Sequence, residues 1–255
     1  MKTSRLLLAL GLLLSLNSWG QDSIEDTPEF LADQYDPYAT DGKAIAPTYA
    51  HVFKLLRPDG TTQVLAQKNA NLLMKPASTM KIFTGWWAYQ EKSRTDAYLS
   101  QMLKYSVNSM AQNTMVALGG VDAMKDYYRN LGLTVSNQTF RPADGSGLSY
   151  ANQTNCAVQI ELLEKIRRDG EYVTFRDMLA QPRRNGTLKK RLTRLTGKVF
   201  AKTGTLKKTA ALSGFIEAPR GTIVFCVISD YLNKSLATER ARIDAMVLQN
   251  YNKAR

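Results

Sequence analysis

The residues of this chain with the clearest chemical potential are a serine and a lysine three positions apart, Ser78 and Lys81. A serine hydroxyl becomes a strong nucleophile when a neighbouring base takes its proton. The only histidine, His51, has no catalytic string around it, so we interpret it as structural. Side chains three residues apart lie on one face of a helix. We therefore expect the amine of Lys81 to act as the base for Ser78.

A lysine can act as a base only if its pKa falls, and burial near a helix N-terminus disfavours the charged form. Pro76 and Ser78 predict a helix start, and the helix should continue to about Lys92. This segment is apolar almost all round, which predicts a buried helix. Trp86 and Trp87 should then belong to the core.

Two further strings add polar groups to this pair: Ser106-Val107-Asn108 and Lys202-Thr203-Gly204. The second lies within residues 199–216, which predict two strands joined near 206–209. Glycine at position 204 would let a substrate backbone lie close to the strand edge. Each string alone is weak, and Ser-x-Asn occurs again at 15–17. Their occurrence together, in this order, indicates an acyl-transfer site.

The other elements place these strings in a mixed fold. Strands are predicted at 49–56, 62–66 and 222–230, and helices at 93–103, 109–118, 121–131, 156–168 and 236–251. A first strand pair, a helical middle and a final group of strands with a closing helix favour an α+β fold. We expect an antiparallel sheet flanked by helices, together with a mostly helical lobe.

The strings resemble those of the low-molecular-mass class C penicillin-binding proteins, the D-alanyl-D-alanine carboxypeptidase/endopeptidase family. Similar segments occur at 76–84, 144–149, 186–191 and 201–206, so the resemblance runs from about position 50 to the C-terminus. It implies the penicillin-binding-protein/β-lactamase-like transpeptidase fold, with the active site between sheet and lobe. Only residues 82–105 separate the first two strings, which resembles a minimal member without inserted accessory domains.

The resemblance also implies the catalytic roles. Ser78 would attack the carbonyl after a D-alanine, and Lys81 would take its proton. Ser106 would pass a proton to the leaving nitrogen, while Asn108 would hold Lys81 and the substrate amide. Residues 144–149 suit either a plain turn or a loop beside the cleft, and the sequence leaves both open.

The substrate-binding residues implied by the resemblance are Lys202, Thr203, Gly204 and Thr205. Lys202 would add positive potential, and the two threonine hydroxyls would bind the substrate carboxylate. The backbone N–H groups of Ser78 and Thr205 would form the oxyanion hole. The substrates would be peptidoglycan stem peptides, with β-lactam antibiotics as covalent inhibitors, and neither metal nor cofactor is implied.

Residues 1–20 have the pattern of a signal peptide cleaved after Gly20, which predicts a periplasmic or secreted protein. The apolar run Leu6–Leu16 is too short to span a bilayer, so we expect no stable membrane insertion. An acidic segment or linker is expected at 21–48, followed by the serine D,D-peptidase domain at 49–255. The sequence does not determine the oligomeric state.

The formal net charge is +12, and ten lysines or arginines with no acid lie between Arg183 and Lys208. Export makes nucleic acid a poor partner for this basic stretch. We expect it instead to attract the carboxylates of stem peptides.

Cys156 and Cys226 both adjoin apolar residues. In an exported protein they could form a disulfide or remain two buried thiols, and the sequence leaves both possibilities open. No histidine or second cysteine lies near either in sequence, which disfavours a zinc site.

Two other functions fit the strings. A serine β-lactamase shares them, but the commonest class adds a Glu-x-x-x-Asn string that this chain lacks. A non-catalytic peptidoglycan-binding protein could retain the fold. The five polar side chains of the three strings are all present, which argues against loss of catalysis: Ser78, Lys81, Ser106, Asn108 and Lys202.

Overall fold

A computed structural model describes residues 46–255. The predicted signal peptide and most of the predicted acidic segment lie outside the described residues. The predicted start of the peptidase domain falls beside the first described strand, which begins at Thr48. No helix within residues 46–255 combines the length and apolar composition needed to cross a bilayer.

An antiparallel sheet forms the centre of the fold, with strand order β2-β1-β7-β6-β5. Its strands are β1 (Thr48–Leu56), β2 (Thr62–Lys68), β5 (Val199–Leu206), β6 (Thr209–Ala218) and β7 (Gly221–Asp230). Two short strands, β3 (Phe140–Arg141) and β4 (Gln153–Thr154), pair apart from it. The strands predicted from sequence are confirmed, and β5 lies at one edge of the sheet.

The helices are α1 (Lys81–Gln90), α2 (Asp96–Tyr105), α3 (Asn108–Ala117), α4 (Gly120–Asn130), α5 (Cys156–Arg168), α6 (Tyr172–Asp177) and α7 (Leu236–Lys253). The helix predicted from Ser78 to Lys92 is instead a 3-10 helix, Ala77–Met80, followed by α1. Helix α2 starts later than predicted because Thr95 caps it, accepting a hydrogen bond from the Tyr98 N–H. The sequence did not predict α6, which is too short to show helical periodicity.

Strands β6 and β7 are buried on both faces of the sheet, whereas β2 at one edge is mostly exposed. Alternate residues of a strand point to opposite faces. Along β7, Val224 and Cys226 pack with the helical lobe, whereas Phe225 and Val227 pack with α7. Helix α5 lies against β7 on the first face. Trp86 and Trp87 are buried in the first core, as predicted.

A disulfide joins Cys156, the first residue of α5, to Cys226 in β7. The sequence left open whether these two cysteines form a disulfide or remain thiols, and the structure shows the disulfide. The bond links residues 70 positions apart and fastens the helical layer to the middle of the sheet.

Loss of this bond should lower the free energy of unfolding by about 2–4 kcal/mol, since it closes a long loop in the unfolded chain. We expect the double variant Cys156→Ala/Cys226→Ala to unfold at lower urea concentration than the wild type. A reductant should destabilise the wild type and leave the variant unchanged. Equal urea midpoints for the two proteins would contradict this.

Candidate active site

The 3-10 helix Ala77–Met80 presents Ser78 at the head of buried helix α1. Ala77 has a φ of 47°, in the left-handed region that few residues other than glycine adopt. Complete burial of Ala77 fixes this bend. The first N–H groups of a helix lack acceptors within it. The backbone N–H of half-buried Ser78 therefore has no acceptor within the helix.

The amine of Lys81 lies within hydrogen-bond distance of three oxygen atoms. Its Nζ is 2.9 Å from Ser78 Oγ, 2.7 Å from Asn108 Oδ1 and 2.7 Å from the carbonyl oxygen of Ser146. These oxygens come from the 3-10 helix, the start of α3 and the loop after β3. The amine thus connects three separate elements at one point.

Burial lowers the pKa of Lys81 to about 7, while the carboxylate of Asp144 acts in the opposite direction. The side chain is fully buried, so its charged form loses hydration. Near neutral pH a substantial fraction of Lys81 is therefore an uncharged amine.

The sequence left open whether residues 144–149 form a plain turn or a loop beside the site. In the structure they form a loop that borders the site. The Asp144 carboxylate accepts hydrogen bonds from the N–H groups of Ser146, Gly147 and Ser149. The Gly145 carbonyl accepts one from the Thr84 hydroxyl, so the loop is also fixed to α1. This arrangement aims the Ser146 carbonyl at Lys81. The sequence did not predict a site role for Asp144 or Ser146.

Ser106 and Asn108 flank the junction of α2 and α3. Ser106 ends α2 in a left-handed conformation, with φ 64°, and Asn108 begins α3. The reversal of direction sends their side chains to different lysines. Asn108 contacts Lys81, whereas Ser106 Oγ lies 2.8 Å from Lys202 Nζ.

Lys202 lies on β5 and is fully buried. Its Nζ donates to Ser106 Oγ and, at 2.9 Å, to the carbonyl oxygen of Thr203. Burial lowers its pKa well below the ordinary value, and the charge of Lys81 lowers it further. The sequence predicted Lys202 as a source of positive potential. Because Lys81 and Lys202 are both fully buried, the site disfavours the ammonium form of both side chains at the same time.

Gly204 has a packing role that the sequence did not predict. A Cβ at this position would contact the Pro76 carbonyl oxygen at 2.7 Å and the Ala77 Cβ at 3.1 Å. The missing side chain therefore lets β5 lie against the 3-10 helix that carries Ser78. Its predicted part in substrate binding stays a prediction.

Thr203 and Thr205 point away from Lys202, because side chains alternate along a strand. Thr203 Oγ1 is 2.8 Å from Thr187 Oγ1, and Thr205 Oγ1 accepts a hydrogen bond of 3.0 Å from Arg240 on α7. The sequence gave no signal for Arg240, one charged residue in a charged helix.

The backbone of β5 offers hydrogen-bonding groups at the sheet edge. The Ala201 N–H points outward to the Ala180 carbonyl. Backbone groups alternate in direction along a strand, so the N–H groups of Thr203 and Thr205 point outward as well.

His51 lies in β1, separated from β5 by β7 and β6, and its ring lies near that of Phe53 in a tilted arrangement. Burial lowers its pKa. Within the described part of the chain, no group of His, Cys, Asp and Glu side chains is arranged to hold a metal ion.

Comparison with family models identifies the chain. Residues 92–252 match the model of the D-Ala-D-Ala carboxypeptidase 3 (S13) family. The chain belongs to this family. The matched region contains Ser106, Asn108 and the Lys202 string and begins after Lys81, so the family assignment and the Ser78–Lys81 geometry are independent observations. The resemblance stated from sequence is confirmed.

A curated relative and two solved structures extend this result. The D-alanyl-D-alanine carboxypeptidase of Actinomadura sp. (strain R39) is 28% identical over 158 residues, covering 53% of this chain and 29% of the relative. The chain thus spans less than a third of that protein. Penicillin-binding protein 4 of Haemophilus influenzae, solved with a β-lactam, has a TM-score of 0.54 at 25% identity, covering 62% of this chain and 40% of its own.

A β-lactamase from Chitinophaga pinensis is similar over a larger share of both chains. Its TM-score is 0.66 at 14% identity, covering 82% of this chain and 94% of its own. Identity this low shows the fold alone. The predicted penicillin-binding-protein/β-lactamase-like fold is confirmed.

Adding one methyl group at Gly147 should disturb the contact between the 144–149 loop and the 3-10 helix that carries Ser78. Gly147 has a φ of 80°, and a Cβ there would overlap the Ala77 carbonyl oxygen. Gly60 is a matched control with φ 84° and no atom within 4 Å of its Cβ position. Both alanine variants bear the backbone strain, about 1–2 kcal/mol, but only Gly147→Ala also displaces the active-site turn.

We expect Gly147→Ala to lose at least about 2 kcal/mol more in unfolding free energy than Gly60→Ala, because backbone must move. Urea denaturation of both variants measures this difference. Equal losses would mean that the loop does not pack against the turn as described.

Proposed function

We propose that this protein is a serine D,D-peptidase that cleaves peptidoglycan stem peptides through an acyl-enzyme on Ser78. The observation that carries the proposal is the position of the Lys81 amine, 2.9 Å from Ser78 Oγ and in contact with two oxygens that can only accept hydrogen bonds. Membership of the D-Ala-D-Ala carboxypeptidase 3 (S13) family supports the same substrate class.

An uncharged amine has two N–H groups and one lone pair. The Asn108 amide oxygen and the Ser146 carbonyl would occupy both N–H groups. The lone pair is then left facing the Ser78 hydroxyl, where it can accept the proton as the oxygen attacks. General-base catalysis of this kind is worth about 10²–10⁴ in rate.

The proton must next reach the leaving nitrogen. Ser106 Oγ accepts a hydrogen bond from Lys202, which leaves its own proton free to be donated. We infer that Ser106 gives its hydroxyl proton to the leaving amine and regains a proton from the Lys81 ammonium formed in the first step, so that both groups return to their resting state. Lys202 would hold Ser106 in position during this transfer. A bound carboxylate would favour the charged form of Lys202, which burial disfavours in the free enzyme.

The developing oxyanion needs preorganised donors. We infer that the N–H of Ser78, at the start of a helix, and the outward N–H of Thr205 supply them. One lies in the 3-10 helix and the other in β5, and these two elements pack together. Water would release the acyl group from Ser78 in the second half of the reaction.

The proposed substrate lies outside the cytoplasmic membrane, so this function requires export. The predicted signal peptide at 1–20 would provide it, and the predicted location is the periplasm or the medium.

Labelling with a fluorescent penicillin tests the proposed nucleophile. We expect a covalent adduct on Ser78, seen as a mass increase on the peptide that contains it. Ser78→Ala should abolish labelling and stem-peptide hydrolysis, while Ser100→Ala, on α2 and outside the site, should retain both. An adduct that persists in Ser78→Ala would contradict the proposal, and a folded wild type that never labels would favour a non-catalytic binding protein.

We also propose D,D-endopeptidase activity on cross-linked peptides alongside carboxypeptidase activity. Helices α1 and α2 fill the interval between Lys81 and Ser106, so no inserted domain lies between them. Arg183, Arg184 and Lys189 are exposed in the basic stretch. An open cleft with a basic rim suits a cross-linked, carboxylate-bearing polymer.

Digestion of intact sacculi with purified enzyme measures this activity. Cross-linked dimers should decrease as monomers increase, and Ser78→Ala should leave the profile unchanged. Loss of terminal D-alanine from pentapeptides with dimers intact would restrict the enzyme to carboxypeptidase activity.

A further inference from the structure

Gln112 lies on the face of α3 that carries Asn108, because side chains four residues apart on a helix are neighbours. It is half-buried, and its Oε1 accepts a hydrogen bond of 2.9 Å from the N–H of Gly145. Within residues 46–255 its amide nitrogen forms no hydrogen bond. Gln112 therefore acts on the 144–149 loop through its oxygen alone.

Gly145 is held at both of its backbone polar groups. Its N–H binds Gln112 on α3, and its carbonyl oxygen accepts a hydrogen bond of 2.7 Å from the Thr84 hydroxyl on α1. The residue also lies directly on α3, since a Cβ there would come within 2.6 Å of the Ala111 carbonyl oxygen. Contacts from two helices thus fix the orientation of the backbone that leads into Ser146.

The next carbonyl along this backbone is the one that contacts Lys81. The Ser146 carbonyl oxygen lies 2.7 Å from Lys81 Nζ, and Asn108 Oδ1 lies at the same distance. One face of α3 therefore supplies the second of these acceptors directly, through Asn108, and holds the first in place through Gln112. In the proposed mechanism the two acceptors occupy both N–H groups of the uncharged amine, which leaves its lone pair for Ser78.

We propose that Gln112 is a positioning residue that holds the Ser146 carbonyl toward Lys81 through the Gly145 peptide, and so directs the lone pair of the amine to Ser78. This rests on the proposed acyl-enzyme function and adds to it a residue that acts only through its neighbours. Loss of the Gln112 oxygen leaves the Gly145 N–H without its acceptor and releases one side of the loop.

The first measurement is the rate of acylation by penicillin as a function of pH. Gln112→Leu removes the oxygen and should lower the maximal rate about tenfold, because a displaced base is costly to the reaction. Gln112→Glu keeps an acceptor for the Gly145 N–H and should restore most of the rate. If Gln112→Leu does not fold, Gln112→Asn should reproduce the loss, since its shorter side chain withdraws the oxygen from the loop.

The pH midpoint of this rate gives a second readout. Two titratable groups interact with Lys81: Asp144 in the loop, which raises its pKa, and Lys202 on β5, whose own pKa Lys81 lowers. The carboxylate of Gln112→Glu adds a negative charge on α3, which favours the ammonium form. Its midpoint should therefore lie at higher pH than that of the wild type.

The pKa of Lys81 can also be measured without any acylation, from the ¹³C shift of its Cε, assigned by its absence in Lys81→Arg. Gln112→Leu should lower this pKa, because the ammonium loses an acceptor when the Ser146 carbonyl moves away. Gln249→Leu is the matched control, the same change at an exposed glutamine of α7. It should alter neither the acylation rate nor the pKa.

An unchanged Lys81 pKa in Gln112→Leu would overturn the proposal, and so would an unchanged acylation rate where the wild type acylates. A loss of rate that Gln112→Glu does not restore would also overturn it, since a contact made through oxygen must survive in the carboxylate. If the wild type never acylates but Gln112→Leu still lowers the Lys81 pKa, the positioning of Lys81 is supported and the acyl-enzyme function is contradicted.

Discussion

The hydrogen bonds around the Lys81 amine are the interaction on which the rest of the site depends. They join the 3-10 helix through Ser78, the α2–α3 junction through Asn108 and the 144–149 loop through Ser146. A buried lysine without partners would be costly, so the three elements must meet closely enough to satisfy it. The same closeness excludes water and lowers the lysine pKa. The surroundings of this one amine therefore connect the packing of the three elements with the proposed chemistry.

Glycines make this approach possible on two sides. Gly147 brings the loop against the Ala77 carbonyl, and Gly204 brings β5 against Pro76 and Ala77. The turn that carries Ser78 thus lies between the 144–149 loop and the edge of β5. Both can approach it closely because Gly147 and Gly204 have no side chain. Rigid placement of a nucleophile within a few tenths of an ångström is what general-base catalysis requires.

Much of the fold followed from sequence, because strand alternation and helical periodicity are local patterns. The sequence singled out five candidate site residues because their side-chain types, at their spacing, suit the proposed chemistry: Ser78, Lys81, Ser106, Asn108 and Lys202. Ser146 could not be singled out in this way, since it acts through a backbone carbonyl that any residue possesses. Arg240 and the Cys156–Cys226 bond depend on long-range packing of α7 and α5 against the sheet. The low pKa of Lys202 likewise depends on burial that no short string encodes.

The central claim, that uncharged Lys81 is the base for Ser78, is tested most directly by the pH dependence of acylation by penicillin. The second-order rate constant reports groups of the free enzyme. It should rise with pH and reach half its maximum near pH 7, the pKa of Lys81. Because Asp144 raises that pKa, Asp144→Asn should move the midpoint to lower pH. A midpoint near 10.5, the ordinary value for lysine, or one unmoved by Asp144→Asn would contradict the account.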